Sequence, residues 1–391
     1  MSRSLNRFLS LLILCCCTWS MASVAEQGSG ATVRIGVSAS KTGELSEVSN
    51  LMLRGMKMWI EDVNERGALL GQRVELVVRD DASSPANAAE AYRSLLAEGV
   101  KLFVSPYSSA MTLSVAEALG KADYAMVSVA SAPEIWQGND PRIFGLYTPA
   151  DQNMRPLLAA AADQSLKTLA IAHLDSDFPN AVATGLQTMA AEFGLAIVST
   201  ERYQQDEDLG PLVDKLKQQN PDVVAVGSYL DDAIAFSEAA AASGLKPKLM
   251  GFSGGPALRE YGDALGLQRA DGVLSSVQWM RSVRFPGAFD FGFRYRQQHG
   301  IYPSYDAAGG YAALQVLEAA VRLADTTEPS TVRGQLKDMK FRSILGHYRV
   351  DDSGKQVAKS TYLVQWQDGH ISLVYPKVLA RWDLRFPFSG W

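Results

Sequence analysis

Short apolar runs alternate with amphipathic stretches along most of this chain. The runs ATVRIGVS, RVELVVRD and TLAIAHL are short and largely apolar, and they predict buried strands. Between the first two runs, Leu51, Met56, Trp59 and Val63 recur at helical spacing and predict an amphipathic helix over residues 50–66. Repeated strand–helix alternation is typical of a parallel sheet with helices on both faces. The predicted fold class is therefore α/β.

The alternation restarts near Thr148, as expected where a second lobe begins. A chain of 391 residues is also too long for one comfortable core, so we predict two doubly wound parallel-sheet lobes. The crevice at the carboxyl ends of their strands is then the expected ligand site. The end of the chain departs from this pattern, because HYRVDDSGKQVAKSTYLVQWQDGHISLVYP predicts β-hairpins. The aromatic tail RWDLRFPFSGW is expected to pack against a lobe.

The first 25 residues have the layout of a secretory signal peptide. Arg3 and Arg7 precede the apolar run FLSLLILCCCTWSMA, and small residues follow it, so we expect cleavage before Glu26. Adjacent cysteines within that run raise lipidation as an alternative, at Cys15, Cys16 or Cys17. The bulky residue before the first of them, Leu14, disfavours lipidation, since a lipoprotein signal normally has a small residue there.

Composition narrows the classes of partner and of site chemistry. All three cysteines lie in the predicted signal, so the mature chain has no disulfide, no thiolate metal site and no cysteine nucleophile. The formal net charge is −5 at pH 7, which disfavours nucleic acid and anionic membrane surfaces as partners. After the signal, no stretch approaches about eighteen consecutive apolar residues, so a soluble mature protein is expected.

Two turns rich in hydroxyl groups follow neighbouring predicted strands. Ser108, Ser109 and Thr112 come after the strand LFVS, at the start of a helix predicted near residues 111–121, and Ser131 comes after the strand YAMVSVA. Backbone N–H groups at a helix start and nearby hydroxyls suit a carboxylate or another polar ligand group. Both turns are therefore predicted to face one small molecule. The alternative is that these serines only cap helices.

The segment GFSGG, residues 251–255, matches the G-x-S-x-G motif of serine hydrolases. In that motif a sharp strand-to-helix turn exposes the serine, which makes Ser253 a candidate nucleophile, with His299, His347 and His370 downstream. Pro256 delays the following helix, and no glycine-rich oxyanion loop precedes the motif. A secreted serine hydrolase is therefore the weaker alternative function.

Other catalytic and cofactor motifs are missing from the sequence. The four histidines are dispersed, so no zinc site is expected, and His173 at the end of an apolar strand is expected to be structural. No phosphate-binding loop or dinucleotide fingerprint occurs, so no nucleotide or other cofactor is expected. Asp306, before AAGGYAAL, is interpreted as a helix N-cap. The chain is therefore not expected to be an enzyme.

Several segments, in order, resemble the leucine/isoleucine/valine-type periplasmic binding proteins. They are NERGALLGQRVELVVRDDASSPANAAEAYRSLLAEGVKLFVSPYSSAMT, VASAPEIW, KPKLMGFSG and YDAAGGYAALQVLEAA. The resemblance implies two α/β lobes joined by a three-segment hinge that closes on a ligand. It also implies a periplasmic, monomeric component of an ABC importer that delivers a small molecule to membrane permease subunits. A sensor that signals to a membrane partner remains the main alternative.

The resemblance also gives expected lobe boundaries. The N-terminal lobe is expected to comprise residues 31–147 and 281–345. The C-terminal lobe is expected to comprise residues 148–280 and 346–380. The aromatic tail, residues 381–391, follows.

The same resemblance assigns ligand-binding positions in both lobes. In the first lobe it implies that Ser108, Ser131, the backbone at Val129 and Ser109 hold the ligand's carboxylate or an equivalent acceptor, and that Val48 lies in a loop that touches the ligand. In the second lobe, the positions that close over the ligand match Phe178, Tyr229 and Ser253.

Three of these positions depart from the pattern of the amino-acid binders. Ser253 stands where those proteins have an acidic residue that pairs with the ligand's ammonium, Phe178 replaces a common tyrosine, and Val48 replaces an aromatic residue. A buried ammonium without such a partner is costly. We therefore expect a small carboxylate, an aromatic acid or an amide rather than a typical α-amino acid. An amino-acid-like ligand remains an alternative, because four nearby carboxylates offer the missing negative charge: Asp175, Asp177, Asp231 and Asp232.

Overall fold

Two β-sheets organise the chain in a computed structural model that describes residues 32–137 and 141–391. The predicted signal peptide and the candidate lipidation sites Cys15, Cys16 and Cys17 lie outside the described residues. Within the described ranges, no helix is both long and apolar enough to cross a membrane.

The first sheet has five parallel strands in the order β2-β1-β3-β4-β5. These strands are β1 (Val33–Ala39), β2 (Val74–Asp80), β3 (Leu102–Val104), β4 (Ala125–Ser128) and β5 (Ile143–Gly145). The helices along this part of the chain are α1 (Ser46–Glu65), α2 (Pro85–Ala97) and α3 (Ser109–Leu119). Strands β1, β3, β4 and β5 are short, apolar and largely buried, as expected for a sheet covered on both faces, whereas the edge strand β2 is partly exposed.

The second sheet has seven strands in the order β14-β13-β10-β9-β8-β6-β7; the strands from β10 to β7 pair parallel, and β13 pairs antiparallel with both β10 and β14. Its strands are β6 (Thr168–Leu174), β7 (Ala196–Tyr203), β8 (Val223–Gly227), β9 (Leu249–Phe252), β10 (Leu274–Val277), β13 (Tyr362–Gln367) and β14 (His370–Tyr375). Its helices are α4 (Arg155–Asp163), α5 (Asp177–Met189), α6 (Gly210–Gln218), α7 (Leu230–Ser243), α8 (Arg259–Leu265) and α9 (Leu267–Ala270). The α/β class and the two parallel-sheet lobes predicted from the sequence are confirmed.

Three later helices and a two-stranded ribbon return to the first lobe. They are α10 (Ala288–His299), α11 (Tyr305–Ala324), α12 (Pro329–Asp338), β11 (Phe341–Ser343) and β12 (Gly346–Tyr348). Tyr348 and Val350 belong to the same buried cluster as strands β1, β3 and β4. The structure therefore keeps the chain in the first lobe past residue 346, where the sequence analysis placed the boundary.

Helices α1 and α11 cross closely within the first lobe. A β-carbon at Gly55 would lie 1.9 Å from the carbonyl oxygen of Ala307, and one at Gly310 would lie 2.2 Å from that of Met52. Glycine on both helices therefore lets the two backbones approach more closely than any side chain would allow.

Hydrogen bonds tie together the three segments that connect the lobes. The side-chain amide of Gln278, after β10, accepts from the N–H of Thr148 at 2.9 Å and donates to its carbonyl at 3.2 Å. The hydroxyl of Thr361, before β13, donates to the carbonyl of Asn153 at 2.6 Å. These side chains hold the connections next to the crevice between the sheets.

The aromatic tail packs against the second lobe, as the sequence analysis expected. Phe388 is buried in the same apolar cluster as Met250 and Trp366, and its N–H donates to the carbonyl of Lys248 at 2.8 Å.

Candidate functional site

A cavity lies at the carboxyl ends of strands from both sheets, beside the connecting segments. It encloses about 480 Å³ of space between the protein atoms, part of it open to solvent. Its lining residues come from both lobes: Tyr107, Ser108, Ser109, Val129, Ala130, Ser131, Tyr147, Asn153, Phe178, Ser228, Tyr229, Gly254, Ser276, Gln278 and Tyr305. None of these lining side chains carries a formal charge.

The first-lobe wall combines two hydroxyls with the start of a helix. Ser108 is the N-cap residue of α3, and the N–H of Thr112 donates to the carbonyl of Ser108 at 3.0 Å as the first bond of the helix. The N–H groups of residues 109–111 precede that bond and have no acceptor within the helix. Ser131 reaches the same cavity from the turn after β4. This wall therefore has the partial positive charge that a carboxylate requires.

Two first-lobe groups predicted to hold the ligand already have partners within the protein. The hydroxyl of Ser109 accepts hydrogen bonds from the N–H groups of Ser131, at 3.3 Å, and Ala132, at 3.1 Å. The N–H of Val129 donates to the hydroxyl of Ser105 at 3.0 Å. Both residues line the cavity, but their polar groups join the two turns to each other and to β3.

Aromatic rings flank the cavity on the second-lobe side. The ring of Phe178 lies 5.6 Å from that of Tyr229, and the ring of Tyr107 lies 6.1 Å from Tyr229 on another side, edge-on. Burial raises the pKa of the Tyr229 hydroxyl, which therefore stays protonated at neutral pH. Phe178 and Tyr229 thus line the cavity from the second lobe, and Tyr107, which the sequence analysis did not select, lines it from the first lobe.

The structure places Ser253 and Val48 outside the cavity lining. The hydroxyl of Ser253 is bonded to the backbone of Ser228, so it is held beneath the cavity wall. Val48 packs with Leu51 and Leu258 in a small apolar contact between α1 and the segment before α8. Apolar burial there accounts for the position of its side chain.

The geometry around Ser253 also differs from a nucleophile elbow. Strand β9 ends at Phe252 and α8 begins at Arg259, so no sharp strand-to-helix turn presents the hydroxyl. Both hydrogen bonds of the hydroxyl go to backbone groups, and neither partner is a base.

The four carboxylates considered as charge partners for a ligand lie outside the lining. Asp232 accepts hydrogen bonds from the hydroxyl of Tyr203 and from the N–H of Tyr229, both at 2.8 Å. Asp175 is bonded to the side-chain amides of Asn180 and Gln204, and these bonds lower its pKa. Asp177 and Asp231 are likewise absent from the lining.

Sequence analysis missed the lining residues that come from the connecting segments, from strand ends in the second lobe and from the start of α11. These are Tyr147, Asn153, Ser228, Ser276, Gln278 and Tyr305. The sequence did contain a sign of two of them. Ser276 belongs to a pair of serines within the otherwise apolar strand β10, and Ser228 comes directly after the apolar strand β8. For Asn153 and Gln278 no local signal existed, because hydrogen bonds between distant segments bring them to the cavity.

Comparison with known proteins places this architecture in one family. The sequence profile of the periplasmic binding protein family matches residues 32–370. The Leu/Ile/Val-binding protein homolog 8 of Brucella suis biovar 1 (strain 1330) is 25% identical over 387 residues, covering 94% of this chain and 96% of that protein.

Solved structures show the same fold. The branched-chain amino acid transporter substrate-binding protein LivJ from Streptococcus pneumoniae, in complex with isoleucine, aligns with a TM-score of 0.79 at 20% identity, over 88% of this chain and 100% of that one. An ABC-transporter solute-binding protein from R. palustris, in complex with benzoate, aligns with a TM-score of 0.76 at 16% identity, over 88% and 95%. The chain belongs to the periplasmic binding protein family and has its type I fold.

Proposed function

We propose that this protein is the periplasmic solute-binding component of an ABC importer and that it captures a small carboxylate, aromatic acid, amide or amino-acid-like solute between its lobes. The observation that carries the proposal is the first-lobe wall, where Ser108, Ser131 and the first turn of α3 face a cavity between two lobes. The related structures bind isoleucine and benzoate, both of which carry a carboxylate.

The first-lobe wall has no positively charged side chain, so it binds the acceptor group of the ligand through neutral hydrogen-bond donors. Unpaired N–H groups at a helix start, aided by two hydroxyls, stabilise a carboxylate through hydrogen bonds and the helix dipole. Contacts from the second lobe then favour the arrangement in which the lobes enclose the solute, so that binding selects the closed state.

A thermal-shift screen of the mature protein tests the binding role. Amino acids, aromatic acids, short carboxylates and amides are screened, and a ligand at one hundred times its Kd is expected to add about 2.7 kcal/mol, a shift of several degrees. Ser108→Ala and Ser131→Ala are expected to abolish the shift, while Ser94→Ala, on the exposed face of α2, is expected to keep it. A screen without any hit contradicts the proposal.

Export and partnership are separate parts of the proposal. We expect the mature chain to begin at Glu26, to be a monomer and to associate with membrane permease subunits that take up its solute. Intact mass after expression with export distinguishes cleavage before Glu26 from lipidation at Cys15, which adds acyl mass. Ligand uptake by cells lacking the neighbouring permease genes separates import from sensing.

The proposal includes no catalytic step. A fluorophosphonate probe is expected to leave Ser253 unlabelled, because its hydroxyl is hydrogen-bonded to backbone groups on both sides. Labelling that disappears in Ser253→Ala contradicts this and favours the hydrolase alternative.

A further inference from the structure

The second-lobe side of the cavity carries three buried polar atoms that have no hydrogen-bond partner in the described part of the chain. They are the side-chain oxygens of Asn153, Ser228 and Ser276. Each belongs to a residue that lines the cavity, and they come from three separate segments of the fold. We call these three residues the neutral polar wall.

Several buried polar atoms without hydrogen-bond partners around one cavity require an explanation. In native proteins the large majority of buried polar side-chain atoms are hydrogen-bonded, because each unsatisfied group keeps its full desolvation cost. The backbone around two members is well satisfied: Ser253 bonds to the backbone of Ser228, and Thr361 bonds to the carbonyl of Asn153. The side chains alone are left free, and they meet at one cavity, as expected of groups that bind a ligand.

The chemistry of the wall specifies the ligand group that fits it. The amide oxygen of Asn153 only accepts hydrogen bonds, whereas the hydroxyls of Ser228 and Ser276 both donate and accept. A ligand hydroxyl or carboxamide satisfies both kinds of group. A ligand ammonium brings a full charge into a lining that has no carboxylate to pair with it, and an unpaired buried charge costs far more than an unpaired hydroxyl.

Two charged residues lie near Tyr147 but outside the lining. Asp306 is fully buried, and burial raises its pKa to about 7, so it is a weakened partner for a cation at neutral pH. The amine of Lys359 lies 5.7 Å from the ring centroid of Tyr147 and has no hydrogen-bond acceptor among the described residues. Neither side chain lines the cavity, so Asp306 is not placed there as a carboxylate partner for an ammonium.

We infer that the neutral polar wall is a specificity subsite for an uncharged hydrogen-bond donor, so that the ligand is an acid carrying a hydroxyl or carboxamide where an amino acid carries its ammonium. This inference rests on the proposed function, because the acid group of the ligand binds the first-lobe wall. It assigns discrimination to Asn153, Ser228 and Ser276.

Calorimetric titration with two matched ligand pairs tests the inference. In the first pair, leucine and 2-hydroxy-4-methylpentanoate, only the ammonium is exchanged for a hydroxyl. In the second, phenylacetate and mandelate (2-hydroxy-2-phenylacetate), only a hydroxyl on the carbon next to the carboxylate is added. In at least one pair the hydroxyl-bearing acid is expected to bind at least about tenfold more tightly, a free-energy difference of about 1.4 kcal/mol. Tighter binding of leucine, or a smaller preference in both pairs, overturns the inference.

A matched pair of serine variants on one strand separates recognition from structure. Ser276→Ala is expected to reduce the tenfold preference to less than about threefold, because it removes one ligand partner. Ser275→Ala changes the neighbouring residue, whose side chain points to the opposite face of β10, and is expected to keep the preference. If Ser276→Ala and Ser275→Ala show the same preference for the hydroxyl-bearing acid, the assignment of Ser276 is overturned. Ser228→Ala then tests the neutral polar wall independently.

The outcomes distinguish the inference from the proposed function. If leucine binds more tightly than its hydroxy analogue, the binding role stands and the neutral polar wall is not the discriminating subsite. If neither these four ligands nor the broader thermal-shift screen gives binding, the proposed function itself fails.

Discussion

The side chain of Ser253 bridges both backbone polar groups of Ser228. Its hydroxyl accepts a hydrogen bond from the N–H of Ser228 at 3.0 Å and lies 3.2 Å from the carbonyl oxygen, to which it donates. Ser253 follows β9 and Ser228 follows the neighbouring β8, so the bridge fixes the carboxyl ends of two adjacent strands. Ser228 lines the cavity, and Ser253 therefore positions the wall without belonging to it.

This geometry predicts that Ser253→Ala affects stability more than ligand affinity. Removal of the hydroxyl leaves the buried N–H of Ser228 without its acceptor, at a cost of about 1–3 kcal/mol in the free energy of unfolding. Urea denaturation measures this cost, with Ser94→Ala as the exposed control. Unchanged stability combined with a tenfold loss of affinity for a ligand found in the screen indicates direct contact and contradicts the positioning role.

The contrast between Ser131 and Ser253 shows how far sequence alone reaches. Ser131 follows a buried strand, and the carboxyl ends of parallel strands share one edge, so local pattern predicts its place at the cavity. Ser253 satisfies the same local pattern, yet its side chain turns toward Ser228. The direction of that side chain depends on an adjacent strand 25 residues earlier, which local pattern does not encode.

The interpretation of Asp306 was wrong for a related reason. The N-cap of α11 is Ser304, whose hydroxyl accepts from the N–H of Ala307 at 3.3 Å, and Asp306 is the second residue of the helix. Serine and aspartate are both good N-cap residues, so sequence preference does not separate them. The helix begins at Tyr305, beside the cavity, and this places Asp306 in the protein interior.

The close crossing of α1 and α11 predicts a severe effect of Gly55→Ala. The added β-carbon would lie 1.9 Å from a backbone oxygen on α11, so one helix must move. We expect a loss of more than about 2 kcal/mol in the free energy of unfolding, in the range of overpacked cores. Thermal or urea denaturation measures it.

Gly334→Ala, in α12, provides the matched control. A β-carbon there has no neighbour within 4 Å, so only helix propensity changes, and we expect a gain of about 0.5–1 kcal/mol. Similar losses in both variants contradict the assignment of the Gly55 effect to close helix packing.

A pair of carboxyl groups across the lobes predicts that ligand affinity depends on pH. Glu47 on α1 is within hydrogen-bonding reach of Glu260 on α8, and burial, Glu260 and Asp231 together raise the pKa of Glu47 to about 7 against the opposing effect of Arg54. If opening separates the two lobes, the pKa of Glu47 returns toward its ordinary value of 4.5. Closure of the lobes is then accompanied by protonation of Glu47 at any pH between these two pKa values.

The sign follows from proton uptake on closure. Affinity for a ligand found in the screen is expected to fall as the pH rises from about 5 to about 7, and to level off above that, since closure becomes more costly once Glu47 must be protonated. Glu260→Gln is expected to flatten this profile. Asp263→Asn, on the same helix but paired with Arg259 at the surface, is expected to retain it. A profile that Glu260→Gln leaves unchanged contradicts the coupling.

The buried carboxyl of Asp306 predicts a second pH effect, on folding stability. Burial raises its pKa from 3.8 to about 7 against the opposing effects of hydrogen bonds from its own backbone and from Ser304. Because the folded pKa exceeds the unfolded one, the ionised group destabilises the fold fully above about pH 7, and this penalty fades as the pH falls toward 4. Asp306→Asn removes the charge and is expected to be more stable than the wild type by about 1–3 kcal/mol at pH 8, with the difference shrinking at pH 5. Urea denaturation at both pH values measures this. A difference that stays constant between pH 5 and pH 8, or a variant that is less stable at pH 8, means that Asp306 is ionised in the folded protein with a partner, and contradicts the prediction.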